Sequence, residues 1–133
     1  HKFTYTSASF LNYMEWELSS PMNNVISIPV YAKHDATSLT EAQRLHWQII
    51  DPANDPMVDA TKTALAEFIA IDSTDWQTST LTYNKTDDKP LILRVWAIRG
   101  SGNAYCLADE IQNNDNVYRF HARRIMGLPS VIN

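Results

Sequence analysis

The chain has 133 residues, of which 44% are hydrophobic and 20% are charged, and its formal net charge is −4. This composition supplies enough apolar side chains for one folded domain, and it lacks the positive surface that general nucleic-acid binding requires. No apolar run approaches the roughly 20 residues of a membrane span. We therefore expect one domain that neither binds nucleic acid nor inserts into a membrane.

Apolar and polar side chains alternate through the first half of the chain, which is the period of a half-buried strand. The pattern predicts four strands, at residues 14–18, 25–33, 45–50 and 64–71. Pro29 has no amide proton for a sheet ladder, so its strand is predicted to lie at an edge or to carry a bulge. Ser38 or Thr40 can cap a single helical turn within residues 38–44. An alternative for residues 59–67 is a helical start before the extended part.

The second half of the chain continues this alternation between turn-forming segments. It predicts four more strands, at residues 78–83, 91–98, 104–111 and 117–122. About eight short strands with such turns indicate an all-β sandwich or barrel. Cys106 lies in an alternating run and is expected to be a small buried side chain. As the single cysteine, it excludes an intrachain disulfide and a multi-cysteine metal site.

Three consecutive segments carry a family resemblance. A threonine strand led by Trp76 is followed by the apolar strand 91–97 and by a strand that ends in Asp109, Glu110 and Ile111. This order resembles the C-terminal half of jelly-roll carbohydrate-binding-module-like domains. Such domains occur as appendages of glycoside hydrolases and in phage tail, head-fibre and decoration proteins. The loop at residues 51–62 and the length of the chain after Ile111 depart from the family.

The resemblance implies an antiparallel two-sheet β-sandwich, a jelly roll, and the length of the chain after Ile111 leads us to expect an extended C-terminal tail in addition. We assign residues 1–115 to the sandwich and residues 116–133 to a C-terminal strand or arm. That arm carries Ile125, Met126 and Leu128, which would need a partner surface. Because the chain begins with His1, we expect it to start after processing or at the edge of a longer polypeptide.

Exposed aromatic rings beside hydrogen-bonding side chains are typical of sugar-binding surfaces. Arg94 and Trp96 alternate with an apolar face that is expected to form the core, so both are predicted to point outward. Tyr31 and Lys33 form a second predicted outward pair. These four residues are the candidate ligand-binding residues, although a core position is the alternative for Trp96. The other tryptophans are predicted core residues: Trp16, Trp47 and Trp76.

The resemblance also implies a structural calcium ion, with Asp109 and Glu110 as its ligands. Calcium takes roughly six to eight oxygen ligands, so further groups must converge on the site. Asp51, Asp55 and Asp59 can supply them if their loop folds over it. The alternative is that Asp109 and Glu110 are solvated carboxylates at a strand end.

Catalysis finds little support in the sequence. The four histidines are scattered without metal-ligand spacing, and 3 glycines do not make a phosphate-binding loop. Glu15 and Glu17 share a strand face, but a solvated face explains them better than a glycosidase pair does. We predict a non-catalytic module that attaches a larger extracellular or virion protein to a glycan or surface. The alternative is a phage or virus structural protein, a capsid-decoration or tail component, that binds other virion or scaffold subunits and oligomerises through its C-terminal arm.

Overall fold

A computed structural model describes the backbone of residues 2–6, 11–18, 24–98, 104–108, 111–113, 116–118 and 123–125. It describes the side chains of residues 13–18, 25–98 and 104–108. Within these segments the secondary structure consists of eleven strands and two short 3-10 helices. The predicted all-β class is therefore confirmed.

The strands follow one another along the chain as β1 (Lys2–Thr6), β2 (Leu11–Leu18), β3 (Asn24–His34), β4 (His46–Ile50), β5 (Ala66–Ile69), β6 (Gln77–Lys85), β7 (Leu91–Ile98), β8 (Ala104–Ala108), β9 (Ile111–Asn113), β10 (Asn116–Tyr118) and β11 (Arg123–Ile125). Sheet A has the order β1-β2-β7-β4-β5. Sheet B has the order β10-β9-β3-β8-β11, and β6 pairs with β3. Each recorded strand pair is antiparallel. The chain crosses between the sheets repeatedly, which confirms the two-sheet antiparallel sandwich.

Alternate residues of both sheets form one apolar core between them, as the period of two predicts. Sheet A contributes Met14, Trp16 and Leu18 from β2, and every second residue of β7 from Leu91 to Ala97. Sheet B contributes the even-numbered residues of β3 from Ile26 to Ala32, together with Leu81 and the small side chains of β8. Cys106 is one of those buried side chains and has a free thiol, as expected.

Of the two alternatives predicted for Pro29, the edge position is wrong, and an irregularity in strand pairing is found. Pro29 does not lie at a sheet edge, because β3 pairs with β6 on one side and with β8 and β9 on the other. Val30 faces Ala108, whereas Ser27 faces Gln112, so the pairing shifts by one residue between these two points. Pro29 falls within that shift. A residue without an amide proton is tolerated at a point where the regular ladder is broken.

The predicted helical turn is confirmed as a 3-10 helix at Glu41–Gln43 with Thr40 at its N-cap. The Thr40 amide donates to the Gln43 side-chain oxygen at 3.0 Å, which satisfies one of the free donors at the helix start. Residues 59–67 form turns and then β5, so the helical alternative for this segment is wrong. No helix among the described residues is long and apolar enough to cross a membrane.

The segment after residue 115 contributes two strands to sheet B. β10 pairs with β9, and β11 pairs with β8. Both pairs are antiparallel, and both follow the same residue register. Part of the predicted arm thus belongs to the sheet, and the domain boundary at residue 115 stays a prediction. Residues 126–133, including Met126 and Leu128, lie outside the described residues.

Candidate binding site

The four candidate ligand-binding residues lie on two opposite faces of the sandwich. Arg94 and Trp96 alternate with the buried residues of β7 and therefore lie on the outer face of sheet A. Tyr31 and Lys33 alternate with the buried residues of β3 and lie on the outer face of sheet B. One ligand site cannot include both pairs.

Arg94 is buried although it lies on an outer face, with 3% of its surface exposed. Its guanidinium donates to the Glu15 carboxylate at 2.6 and 2.8 Å and to both oxygens of Asp55 at 2.6 and 2.7 Å. Arg94 lies on the outer face as predicted, but it is not exposed there, because the segment that carries Asp55 covers it. The donors of Arg94 are thereby used inside the domain.

This ion cluster also determines the ionisation of Asp55. The hydrogen bonds from the Arg94 guanidinium lower the pKa of the Asp55 carboxyl, and the Met57 amide acts in the same direction against the opposing effect of burial. Asp55 therefore stays ionised and fixes its loop onto sheet A. Glu15 serves the same cluster, so the interpretation of Glu15 and Glu17 as one solvated face holds for the exposed Glu17 and not for Glu15.

Trp96 is half-buried and stacks on a histidine of the neighbouring strand. The ring centroids of Trp96 and His46 are 3.9 Å apart with an interplanar angle of 11°. His46 is buried, its Nε2 lies 2.9 Å from the Glu41 carbonyl oxygen, and burial lowers its pKa. One face of the Trp96 ring is thus already occupied by a neutral imidazole.

Lys33 lies between two aromatic rings on the outer face of sheet B. Its Nζ is 5.7 Å from the ring centroid of Trp76 and 5.7 Å from that of Tyr105. These distances are within the range of cation–π attraction. The Tyr105 hydroxyl donates to the Asp35 carboxylate at 3.3 Å. Tyr31 lies two residues before Lys33 on the same face.

We call this set the aromatic patch, and it consists of Tyr31, Lys33, Asp35, Trp76 and Tyr105. Trp76 was predicted to be a core residue, and that prediction is wrong, since 49% of its surface is exposed. It directly precedes β6 and falls on the same alternate positions as the exposed Thr78 and Thr80, not on those of the buried Leu81. The predictions for Trp16 and Trp47 are confirmed, and their rings stack in the core with centroids 6.1 Å apart.

The connection between β5 and β6 holds Trp76 in place. The Gln77 side chain accepts a hydrogen bond from the Ile71 amide at 2.7 Å and donates one to the Ile71 carbonyl at 2.8 Å. These two hydrogen bonds join the two ends of the connection. The His34 amide donates to the Ser73 carbonyl at 3.2 Å and attaches the same connection to the end of β3. The aromatic patch is therefore built from two strands and one fixed loop.

No family model, curated protein or solved structure matches this chain. The resemblance to carbohydrate-binding-module-like domains accordingly stays a prediction.

Sequence reasoning found Tyr31 and Lys33 and missed Trp76 and Tyr105 as their neighbours. The signal for Tyr105 was present, because it alternates with Ala104, Cys106 and Ala108, which are small buried side chains. The register that places Tyr105 beside Lys33 joins residues far apart in the chain, and no local pattern encodes it.

The implied calcium ligands Asp109 and Glu110 lie outside the described residues. The three loop aspartates each have local partners: Asp51 accepts from the Ala53 amide, Asp55 binds Arg94, and Asp59 accepts from the Thr61 amide and hydroxyl. Within the described part of the chain, no group of three or more His, Cys, Asp or Glu side chains is placed to hold a metal ion. Calcium binding stays a prediction.

Proposed function

We propose that this domain is a non-catalytic binding module that holds a carbohydrate against the aromatic patch on sheet B. The observation that carries the proposal is the exposed indole of Trp76 beside Tyr105, with a lysine ammonium between the two rings. Flat rings pack against the C–H faces of a sugar, while Lys33 and Asp35 offer a donor and an acceptor for its hydroxyl groups.

The construction of the patch supports this function. Lys33 and Tyr105 face each other across two paired strands of a sheet that also forms half of the core. Trp76 is held by the closed connection described above. Since the backbone that carries these side chains is fixed before a ligand arrives, binding does not require the loop or the strands to become ordered.

The chemistry of the two outer faces also favours sheet B over sheet A. On sheet A, Arg94 binds the carboxylates of Glu15 and Asp55, and Trp96 stacks on His46. A glycosidase needs two carboxyl groups across a cleft, and Asp35 is the one carboxylate in the patch. The proposal therefore includes no catalytic step. An attachment role on an extracellular or virion protein fits such a module.

Replacement of Trp76 by alanine is expected to weaken glycan binding about tenfold or more, because an exposed aromatic anchor carries much of the energy at such surfaces. The measurement is a glycan-array screen of the purified domain, followed by titration calorimetry with the best-bound oligosaccharide. Val58→Ala is the matched control, since Val58 is also exposed and is not part of the patch. Equal binding by Trp76→Ala, or no glycan bound by the unaltered domain, would contradict the proposal.

A second candidate function, the structural subunit of a phage or virus assembly, is favoured by the edge strand β6. Among the described strands β6 pairs with β3 alone, and its residues 77–84 include no charge, proline or glycine. Protein sheets usually protect such edges with charges or proline. An antiparallel pairing with β6 of a second copy, centred on Thr80, would place Thr78 opposite Thr82, and such threonine pairs are favourable.

If this second function holds, the domain self-associates and Thr80→Lys abolishes the association, because it places two like charges opposite each other at the centre of the new pairing. Analytical ultracentrifugation over a concentration series measures this. Thr63→Lys, at an exposed threonine outside the strands, is the control. A domain that stays monomeric at high concentration, or a Thr80→Lys variant that still associates, speaks against pairing through β6.

A further inference from the structure

We infer that the aromatic patch selects acidic glycans, in which a carboxylate or sulfate group of the sugar meets the Lys33 ammonium. This inference rests on the proposed function and adds a ligand class to it. The observation behind it is a partly exposed cation, fixed between two rings, that has no carboxylate partner within the described part of the chain.

The surroundings of Lys33 differ from those of the other basic residues that are at least partly buried among the described side chains. Arg44, Lys85 and Arg94 each have a carboxylate within ion-pair distance, at 3.9, 3.7 and 2.6 Å respectively. The Lys33 ammonium instead has the π-faces of Trp76 and Tyr105 as its neighbours. Aromatic faces attract a cation without neutralising it, so its capacity to pair with an anion is retained.

Asp35 is the carboxylate of the patch, and its contacts bear directly on this inference. Its carboxylate accepts a hydrogen bond from the Tyr105 hydroxyl at 3.3 Å and so positions the ring that flanks Lys33. Its side chain is exposed, so solvent and salt screen its repulsion of an incoming anion. A ligand anion placed against Lys33 forms a direct charge-assisted hydrogen bond with its ammonium group. This attraction is stronger than the screened repulsion from the Asp35 carboxylate.

The strand register adds a second basic position to the same row. β8 pairs with β3 on one side and with β11 on the other, so Lys33 is opposite Tyr105 and Tyr105 is opposite Arg124. The row across three strands therefore reads Lys33, Tyr105, Arg124.

Three oligosaccharide probes test the charge requirement, and two of them share one backbone. The probes are an oligogalacturonate, its methyl ester, which has the same sugars without the charge, and a sulfated galactan oligosaccharide. Binding is measured by titration calorimetry at low salt and at physiological salt. We expect the unaltered domain to prefer an acidic probe over the uncharged ester by about tenfold, with a smaller preference at the higher salt. The carboxylate and sulfate probes separate the two sources of negative charge.

Variants of Lys33 connect the preference to this side chain. Lys33→Met keeps an unbranched apolar stem and is expected to remove most of the preference for the acidic probe, while Lys33→Arg is expected to retain it. Lys62→Met is the matched control, since it removes one charge at an exposed lysine outside the patch. Circular dichroism and thermal unfolding establish that each variant is folded.

The possible results distinguish the two proposals. Equal binding of the acidic probe and its ester, lost in Trp76→Ala, would overturn the inference and leave the proposed function standing. A preference that Lys33→Met preserves would also overturn the inference. Absence of binding to every glycan, charged or neutral, would overturn the inference together with the proposed function.

Discussion

Replacement of Arg94 by methionine is expected to lower the free energy of unfolding by about 3 kcal/mol. The guanidinium is buried and binds Glu15 and Asp55, which are themselves largely buried. Its removal leaves two carboxylates without their cation in a poorly solvated site, and this uncompensated charge, more than the lost attraction, produces the effect. Urea denaturation followed by tryptophan fluorescence gives the free energy.

The control for this experiment is Lys62→Met, which removes a lysine charge at an exposed position and is expected to change stability little. A triple variant, Arg94→Met with Glu15→Gln and Asp55→Asn, tests the cause. If unpaired charge is responsible, the triple variant recovers part of the stability lost in the single variant. A single variant as stable as the unaltered domain would show that the ion cluster is dispensable.

The ion pair between Arg94 and Asp55 also makes the stability of the folded domain depend on pH. The folded-state pKa of Asp55 is lowered by Arg94, so it lies below the unfolded-state value of about 3.9. The contribution of Asp55 to stability is therefore fully present above that value and is lost as the pH falls through the folded-state pKa. Because Arg94→Met lacks this contribution, the stability difference between the two proteins is expected to narrow as the pH falls from about 5 to about 2.

Replacement of Trp47 by alanine is expected to cost about 3–5 kcal/mol, which approaches the whole stability of a domain of this size. Trp47 is 1% exposed and stacks on Trp16, so the change leaves a large cavity in the core. Its indole nitrogen also donates to the Tyr31 carbonyl at 3.1 Å, and that acceptor is left without its partner. We expect a domain that is largely unfolded or strongly destabilised at 37 °C.

Trp47→Phe separates the cost of the core cavity from the cost of the lost indole hydrogen bond. The smaller ring keeps much of the packing and loses the hydrogen bond, so the cost is expected to be smaller than that of alanine. Urea denaturation and thermal unfolding of both variants measure the difference. Equal stability of the alanine variant and the unaltered domain would contradict the position of Trp47 in the core.

The sandwich was predictable from the sequence because its strands are half-buried, and half-burial produces an alternation that can be read locally. The apolar strand β7 shows this best, since its predicted and observed limits coincide at residues 91 and 98. β1 was not predicted, although Lys2, Thr4 and Thr6 alternate there with the aromatic residues Phe3 and Tyr5. The shift beside Pro29 depends on pairing with a distant part of the chain, so the sequence indicated an irregularity but not its form.

The candidate site was predictable in part, and the two errors have different causes. Alternation indicates which residues leave the core, and it correctly placed Arg94, Trp96, Tyr31 and Lys33 on outer faces. It does not indicate what covers an outer face, so the burial of Arg94 by the Asp55 segment was missed. The exposure of Trp76 was missed although the alternation of β6, extended back by one residue, places it with the exposed Thr78 and Thr80.

The position of the aromatic patch on one open sheet face has a consequence for binding strength. A glycan that lies across two rings and a lysine keeps its other side in water, so a single domain is expected to bind with a Kd nearer millimolar than nanomolar. Useful retention at a surface would then come from multivalency. Several copies linked at short distance raise the effective concentration and can strengthen attachment by roughly 10²–10⁴-fold without any new contact.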